Sequence, residues 1–391
     1  MNDTTREQIA RGEIRAIALD TSIFDANGLA LESGLLEQLS QFRDSGVTVV
    51  LPKVVTREVE RHLLRNSSDA IAKLQGAIRE TGRHRTVRDA TQQQLDQLGR
   101  DAADEVAGRA QRRLEDWIER TAAVIAHEED YVALGDLMQR YFDALPPFGT
   151  GGPKKHEFPD AVALLTLDGW ARKHGTKVLV VSADSDWKRY GDHSGTLVLV
   201  DDLAEALSGF QGHAEAREAA RCLAASIGEQ DSYGLQDALR YAVQEQSHKF
   251  EFRIEADSQF SVEEDGMEAS YDDVELPDAG WAELTFEAVF YREGEVVVQV
   301  NATALARVTS YFTFDKWDSV DHEYMSMGNA TIKTDERIEF EALVTLTGNI
   351  PREMTIESVE LLATRHGMHL NDIEPDWMSS PDDDPDEMNA R

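Results

Sequence analysis

Acidic side chains follow two of the short apolar runs in the first half of the chain, at the point where each run ends. Asp20 comes directly after the run Ala16 to Leu19, and Asp184 and Asp186 follow the run Val178 to Val181. Carboxylates that crowd one place repel each other, and a hard divalent cation bound through oxygen relieves that repulsion. These acids therefore indicate a magnesium or manganese site, at which a bound water can be activated.

Two further acids fall where they can join the same site. Glu58 and Glu60 lie on a helical pattern about 200° apart, so only one can face the site, and Glu58 is nearer the preceding apolar run. Asp160 stands in the first turn of a helix predicted to begin at Pro159, where free N–H groups favour a negative charge. Each acid alone is typical of a cap or turn, whereas four at matching positions predict a functional cluster.

The elements that would position these acids form a parallel sheet. Short apolar runs separated by helical patterns are typical of buried parallel strands, and they occur at Ala16–Leu19, Val47–Leu51, Val178–Val181 and Leu197–Val200. In such sheets the carboxyl ends of the strands meet at one crevice. A helical stretch from about Val54 to Leu145, broken near Thr81 and Gly82, lies between the second and third runs. From about Phe250 the apolar residues alternate, which predicts mainly antiparallel strands.

The charge of the chain restricts where a polynucleotide could bind. The chain has 39 Lys and Arg against 74 Asp and Glu, a net charge of −35. Residues 1–205 carry −8 (26 basic, 34 acidic) and residues 206–391 carry −27 (13 basic, 40 acidic). Because negative surfaces repel phosphates, we expect any polynucleotide to bind the first half.

The remaining composition points to a cytoplasmic protein without membrane contact. No apolar run approaches the roughly 18 residues that a membrane span needs. The single cysteine, Cys222, makes no internal disulfide and no thiolate zinc site. We therefore expect any metal to be held by oxygen or imidazole ligands.

Four segments resemble the successive acidic motifs of the PIN domain family. They are LDTSIF (19–24), LPKVVTREVERHL (51–63), KKHEFPDAVALLTL (154–167) and VLVVSADSDW (178–187). PIN domains are metal-dependent nucleases, and the family includes ribonuclease toxins. The resemblance covers roughly residues 14–205 and implies an α/β fold, a Rossmann-like parallel sheet with a long helical insert, followed here by a mainly antiparallel β domain.

The resemblance implies a role for each acid. Asp20, Glu58, Asp160 and Asp184 would be catalytic acids that bind Mg²⁺ or Mn²⁺, with Asp186 as an auxiliary catalytic acid. Small polar residues of the family's motifs match Thr21, Ser22 and Ser182. The implied activity is endonucleolytic phosphodiester hydrolysis by a two-metal carboxylate site, with RNA favoured over DNA as the substrate.

Two groups of basic residues could approach the phosphates. Lys154 and Lys155 precede Asp160, and their interpretation as nucleic-acid ligands or as solubilising loop residues stays open. Inside the helical insert, arginines surround His84, and here a solvated helix junction is the alternative; they are Arg79, Arg83, Arg85 and Arg88.

These observations predict the organisation of the whole chain. A PIN-like nuclease domain would span residues 1–205 with an insert at about 61–145, followed by a helical connector (206–249), a β-rich accessory domain (250–370) able to bind a protein partner, and an acidic disordered tail (371–391). Two alternative functions remain at this stage. One is a structure-selective nuclease for single-stranded DNA, with the insert arching over the crevice, and the other is a non-catalytic scaffold or regulatory protein with the same fold.

Overall fold

The described part of the chain forms two compact units. A computed structural model describes residues 1–148, 158–227, 231, 233–319 and 322–378. The first unit comprises Met1–Arg217 and Glu287–Val296, and the second comprises Glu218–Phe286 and the described residues from Val297 onward.

Up to residue 226, helices alternate with short strands. They are α1 Asp3–Ala10, β1 Ile14–Leu19, α2 Thr21–Ala26, α3 Gly34–Gln38, β2 Thr48–Pro52, α4 Lys53–His84, α5 Asp89–Thr121, β3 Val124–Ala126, α6 Leu134–Asp143, α7 Phe158–His174, β4 Lys177–Val181, α8 Ser185–Gly191, β5 Leu197–Val200, α9 Leu203–Phe210 and α10 Ala214–Ser226. Short 3₁₀ helices lie at Leu39–Asp44 and Glu128–Asp130.

The later elements are mainly strands. They are α11 Leu235–Glu245, β6 Phe250–Ala256, β7 Ser261–Glu275, α12 Ala279–Thr285, β8 Glu287–Arg292, β9 Glu295–Asp318, β10 Glu323–Asn349, β11 Glu353–Leu361 and β12 Thr364–Leu370, with a 3₁₀ helix at Ser247–Lys249. Among the helices of the described ranges, none is both long and apolar enough to cross a membrane.

The first unit is built on a parallel sheet, which confirms the predicted Rossmann-like fold. Its strand order is β3-β2-β1-β4-β5, and each strand runs parallel to its neighbours. The central strand β1 is covered on both faces, since Ala16 to Leu19 are all fully buried. This burial explains the continuous apolar runs, and it leaves the carboxyl ends of the strands as the place for polar side chains.

The predicted helical insert is a pair of long helices. The break between α4 and α5 falls at Arg85, which has a left-handed backbone (φ 51°), rather than near Thr81. The stretch predicted to be wholly helical also contains β3, an edge strand of the central sheet that pairs with β2. With three residues, of which Val124 is exposed, β3 is too short to leave an apolar pattern.

A mainly antiparallel sheet dominates the second unit, as predicted. Its strand order is β11-β10-β9-β7, and both β7 with β9 and β10 with β11 pair antiparallel. Alternate residues of β9, from Val298 to Phe314, face the core. A separate parallel pair joins β6 to β12, whose residues are more than 100 positions apart, so no local sequence pattern indicates it.

The structure assigns residues 287–296 to the first unit, although the alternating pattern placed them in the β-rich domain. Val289 of β8 is fully buried, and its carbonyl oxygen accepts hydrogen bonds from Gln41 (2.9 Å) and Gln211 (3.3 Å). These contacts with the first unit, rather than the local pattern of alternation, decide where β8 belongs.

The first part of the predicted acidic tail is packed. Ile373 is buried in a cluster with Phe312 and Phe314, and the Trp377 indole donates to the carbonyl oxygen of Met327 (2.5 Å). Residues 379–391 lie outside the described residues.

A buried carboxylate that sequence analysis did not single out holds part of the first unit together. Asp168 of α7 forms an ion pair with Arg172 and accepts hydrogen bonds from the hydroxyls of Tyr190 (3.1 Å), Ser194 (3.1 Å) and Thr196. It thereby connects α7 to α8 and to the segment that leads into β5. We assign it a structural role.

Removing this carboxylate should destabilise the protein. We expect Asp168→Ala to lower the free energy of unfolding by about 2–4 kcal/mol, because it leaves buried donors without an acceptor. Urea denaturation measures the change, with Asp69→Ala at an exposed site as the control. An equal midpoint for the two variants would contradict the structural role.

Candidate functional site

Asp20 lies at the centre of the crevice formed by the carboxyl ends of the strands. Its backbone N–H donates to the carbonyl oxygen of Val181 (3.0 Å), which ties the end of β1 to the end of β4. Its Oδ2 accepts hydrogen bonds from the hydroxyls of Ser22 (2.5 Å) and Ser182 (3.0 Å). Burial raises the pKa of Asp20, and the two hydroxyl bonds only partly oppose that rise. The two hydroxyls fix the direction of the Asp20 carboxylate, but they carry no positive charge that would neutralise it.

Asp160 approaches the same position from the first turn of α7. Its Oδ1 accepts a hydrogen bond from the indole N–H of Trp187 (3.1 Å). The pKa of Asp160 is raised to about 6, mainly by burial and also by the charges of three other carboxylates, Asp20, Asp184 and Glu58. Asp160 therefore lies close enough to the other three predicted metal-binding acids for their charges to act on it.

Glu58, rather than Glu60, faces the crevice. Its Oε2 accepts a hydrogen bond from the hydroxyl of Thr21 (3.1 Å), which follows Asp20 in the chain. Its Oε1 pairs with Arg61 (2.9 Å) one turn further along α4, at the exposed rim. Glu60 is exposed. Glu58 thus contributes negative charge to the crevice while one of its oxygens is paired outside it.

Asp184 and Asp186 occupy different environments in the first turn of α8. Asp184 caps the helix, since its Oδ1 accepts the backbone N–H of Asp186 (2.6 Å), and its own N–H donates to the Ser182 hydroxyl (3.1 Å). The carboxylate of Asp186 forms an ion pair with Arg189 (2.7 Å). The structure therefore brings Asp184 to the crevice acids and leaves Asp186 paired with Arg189.

The predicted basic pair comes shortly before Asp160 in the chain. Lys154 and Lys155 fall within residues 149–157, outside the described residues.

Trp187 is a site residue that sequence analysis missed. Its ring is fully buried, and its indole orients the Asp160 carboxylate. The spacing of Trp187 from Asp184 could have indicated it. A residue three positions after the helix cap Asp184 begins the buried face of α8. Ser22, Thr21 and Ser182, which the resemblance to PIN domains singled out, also bond to crevice acids.

The crevice suits a divalent cation in donor type and in charge. Its acids offer only oxygen atoms, the ligands that Mg²⁺ and Mn²⁺ prefer. Among the described residues, the charges that the pKa values of Asp20 and Asp160 respond to most are those of neighbouring carboxylates. In the side-chain positions of the described ranges, no three Asp, Glu, His or Cys residues are already arranged around one ion position. The match between the crevice and a divalent cation therefore rests on the oxygen donors of the acids and on the repulsion between their charges.

Comparison with known proteins assigns the family. The model of the PIN domain matches residues 17–187, a range that includes the crevice acids, α4 and α5. Neither the curated proteins nor the solved structures gave a match. PIN domains are typically nucleases, and the family generally uses divalent metals. Residues 17–187, which carry the acids at the carboxyl ends of the parallel strands, form a PIN domain.

Proposed function

We propose that this protein is a divalent-metal-dependent nuclease that hydrolyses phosphodiester bonds, with RNA as its substrate. The observation that carries the proposal is the group of acids around Asp20 and Asp160. Burial raises the pKa of both, and so does the charge of Asp184. Carboxylates buried without compensation cost stability, and such costs concentrate at functional sites.

Each side chain of the crevice has a definable task in that proposal. Asp20, Asp160, Asp184 and Glu58 would hold Mg²⁺ or Mn²⁺, which when bound supplies an activated water and neutralises charge on the phosphate. Ser22 and Ser182 orient Asp20 through its Oδ2. The preference for RNA rests on the resemblance to ribonuclease toxins.

The orienting contacts argue against a protein that only retains the fold as a scaffold. Trp187 holds Asp160 by an indole hydrogen bond, and Thr21 holds Glu58. A scaffold gains nothing from fixing the direction of mutually repelling carboxylates, whereas an ion-binding site needs its ligands preorganised.

Nuclease assays on the purified protein test the function. Labelled RNA, single-stranded DNA and flapped duplex DNA would each be incubated with Mg²⁺ or Mn²⁺, with and without EDTA. We expect RNA to be cleaved in a metal-dependent manner. Preferential cleavage of single-stranded or flapped DNA would show that DNA, not RNA, is the substrate. Absence of cleavage of all three nucleic acids with either metal would support the non-catalytic scaffold.

The basic pair before Asp160 gives a prediction on substrate binding. If Lys154 and Lys155 contact phosphates, changing both to Ala should raise KM and lower the dependence of binding on salt by up to about two counterions. The rate at saturation should change less. The salt dependence would be measured by fluorescence anisotropy, and an unchanged slope would assign these lysines to loop solubility.

A further inference from the structure

The helices α4 and α5 form an arm whose outer part, among the described residues, makes side-chain hydrogen bonds and ion pairs only within itself. Between residues 64 and 109, the side-chain hydrogen bonds and ion pairs of the described structure stay within the helical pair. Gln75 donates to the carbonyl oxygen of Gly99 (3.1 Å), and the Thr81 hydroxyl bonds Gln92 (3.0 Å). Ile78 is buried between the two helices. We call residues 64–109 the arm.

The arm is fixed at its base beside the crevice. Pro52 ends β2 and Lys53 begins α4, so the helix that carries the arm starts at the edge of the sheet where the crevice acids lie. On α5, the Trp117 indole donates to the carbonyl oxygen of Leu36 (3.0 Å), and Arg113 pairs with Glu32 (2.6 Å). These buried and paired contacts make the arm a rigid extension of the first unit.

The end of the arm is a cluster of exposed cations, which we call the arm tip. The four arginines of the tip are exposed, and none forms an ion pair with any described residue; they are Arg79, Arg83, Arg85 and Arg88. Residues 79–88 contain these four basic residues and one acid, Glu80, in a protein whose net charge is −35. The stem of α5 is instead acidic, with Asp96, Asp101, Asp104 and Glu105.

The distance between the arm tip and the crevice is set by one continuous helix. Glu58 and Arg83 both lie on α4, 25 residues apart (83 − 58). At 1.5 Å per residue they are separated by about 38 Å along the helix axis. A B-form duplex, which rises roughly 3.4 Å per base pair, spans that distance in about 11 pairs, and an A-form RNA duplex, which rises about 2.8 Å, in about 13.

From this placement we infer that the arm tip binds the phosphate backbone of a duplex stretch in the nucleic acid that is cut at the crevice, about a dozen base pairs from the scissile phosphate. The inference rests on the proposed nuclease function and adds the form of the substrate. A rigid arm with a cluster of cations at its end matches a stiff polymer, because a flexible strand would lose entropy to reach it. Between residues 79 and 88 the tip has no Phe, Tyr or Trp, and His84 is its one aromatic ring, so it offers few surfaces on which unpaired bases could stack.

Binding without metal tests the arm tip separately from catalysis. A fluorescent 16-base-pair RNA duplex would be titrated in EDTA into the wild type and into a variant with the four tip arginines changed to Gln. We expect at least ~10-fold weaker binding and a salt slope reduced by up to about 3 for the variant. A variant with the same charge change in the rest of the arm, at Arg65, Lys73, Arg100 and Arg109, is the matched control and should bind within about 3-fold of wild type. Equal losses in both variants would overturn the tip assignment.

Cleavage as a function of duplex length tests the spacing. RNAs would carry one single-stranded cleavage site next to duplexes of 6 to 18 base pairs, and kcat/KM should rise at least ~10-fold near a dozen pairs. Deleting residues 66–72 and 101–107 removes about two turns from each helix and shortens the arm by about 10 Å. The rise in kcat/KM should then occur at a duplex shorter by about three to four pairs. The inference would be overturned if kcat/KM did not depend on duplex length, or if it depended equally on the length of an unpaired strand. Either result would leave the proposed nuclease function unaffected.

Discussion

Changing Asp20 to Asn should lower RNA cleavage by at least ~100-fold, the loss expected when an essential electrostatic group is removed from a metal site. The substitution retains the shape of the side chain, and an amide oxygen can still accept from Ser22 and Ser182, so the fold should persist. Single-turnover cleavage with saturating Mg²⁺ measures the effect. Asp69→Asn, the same change at an exposed position of the arm, is the control and should cleave like the wild type.

The same variant should be more stable than the wild type when metal is absent. Burial raises the pKa of Asp20, which means that its charge destabilises the metal-free fold at neutral pH. A rise in Tm in EDTA together with a loss of cleavage would separate a functional carboxylate from a structural one. A Tm that falls as far as that of Asp168→Ala would contradict this assignment.

Asp160→Asn should stabilise the metal-free protein, and by an amount that depends on pH. The ordinary pKa of an Asp side chain is 3.8, and in the fold burial raises that of Asp160 to about 6. Between these values the folded state binds more protons than the unfolded state, so the stability of the wild type falls as pH rises through this window. At pH 7.5 the penalty is complete and amounts to at most about 3 kcal/mol.

Thermal unfolding in EDTA between pH 4 and pH 7.5 measures this effect. The Tm difference between Asp160→Asn and the wild type should be small at pH 4 and reach about 3–8 °C at pH 7.5. The Asn oxygen can still accept from Trp187, so that contact is retained. A Tm difference that stays constant over the pH range would contradict the raised pKa of Asp160.

The central sheet could be predicted from the sequence because its strands are buried on both faces. The runs ending at Leu19, Val181 and Val200 end where β1, β4 and β5 end, and Pro52 extends β2 by one residue beyond the predicted run. Contiguous apolar residues leave a clear signal, and acids directly after them fall at the crevice by the geometry of parallel strands. The positions of Asp20 and Asp184 follow from that rule alone.

What the sequence did not indicate depends on contacts between distant residues. Trp187 reaches Asp160, and Asp168 collects donors from residues 22 to 28 positions away, and neither pairing leaves a periodic pattern. The pairing of Asp186 with Arg189 is local, but whether an acid faces its helix neighbour or the crevice is decided by side-chain rotation. β3 has only three residues and is too short to leave an apolar pattern in the sequence. β8 contacts the first unit through the hydrogen bonds that Gln41 and Gln211 donate to the carbonyl oxygen of Val289.

A titration with Mn²⁺ tests the central claim, that the acids around Asp20 bind a divalent cation. The amplitude of the EPR signal of free Mn²⁺ would be followed as wild type, Asp20→Asn and Asp69→Asn are added at pH 7.5. We predict that wild type and Asp69→Asn remove Mn²⁺ from solution equally, and that Asp20→Asn binds it at least ~10-fold more weakly because it lacks a charged ligand. Equal Mn²⁺ affinity for Asp20→Asn and the wild type would contradict the account.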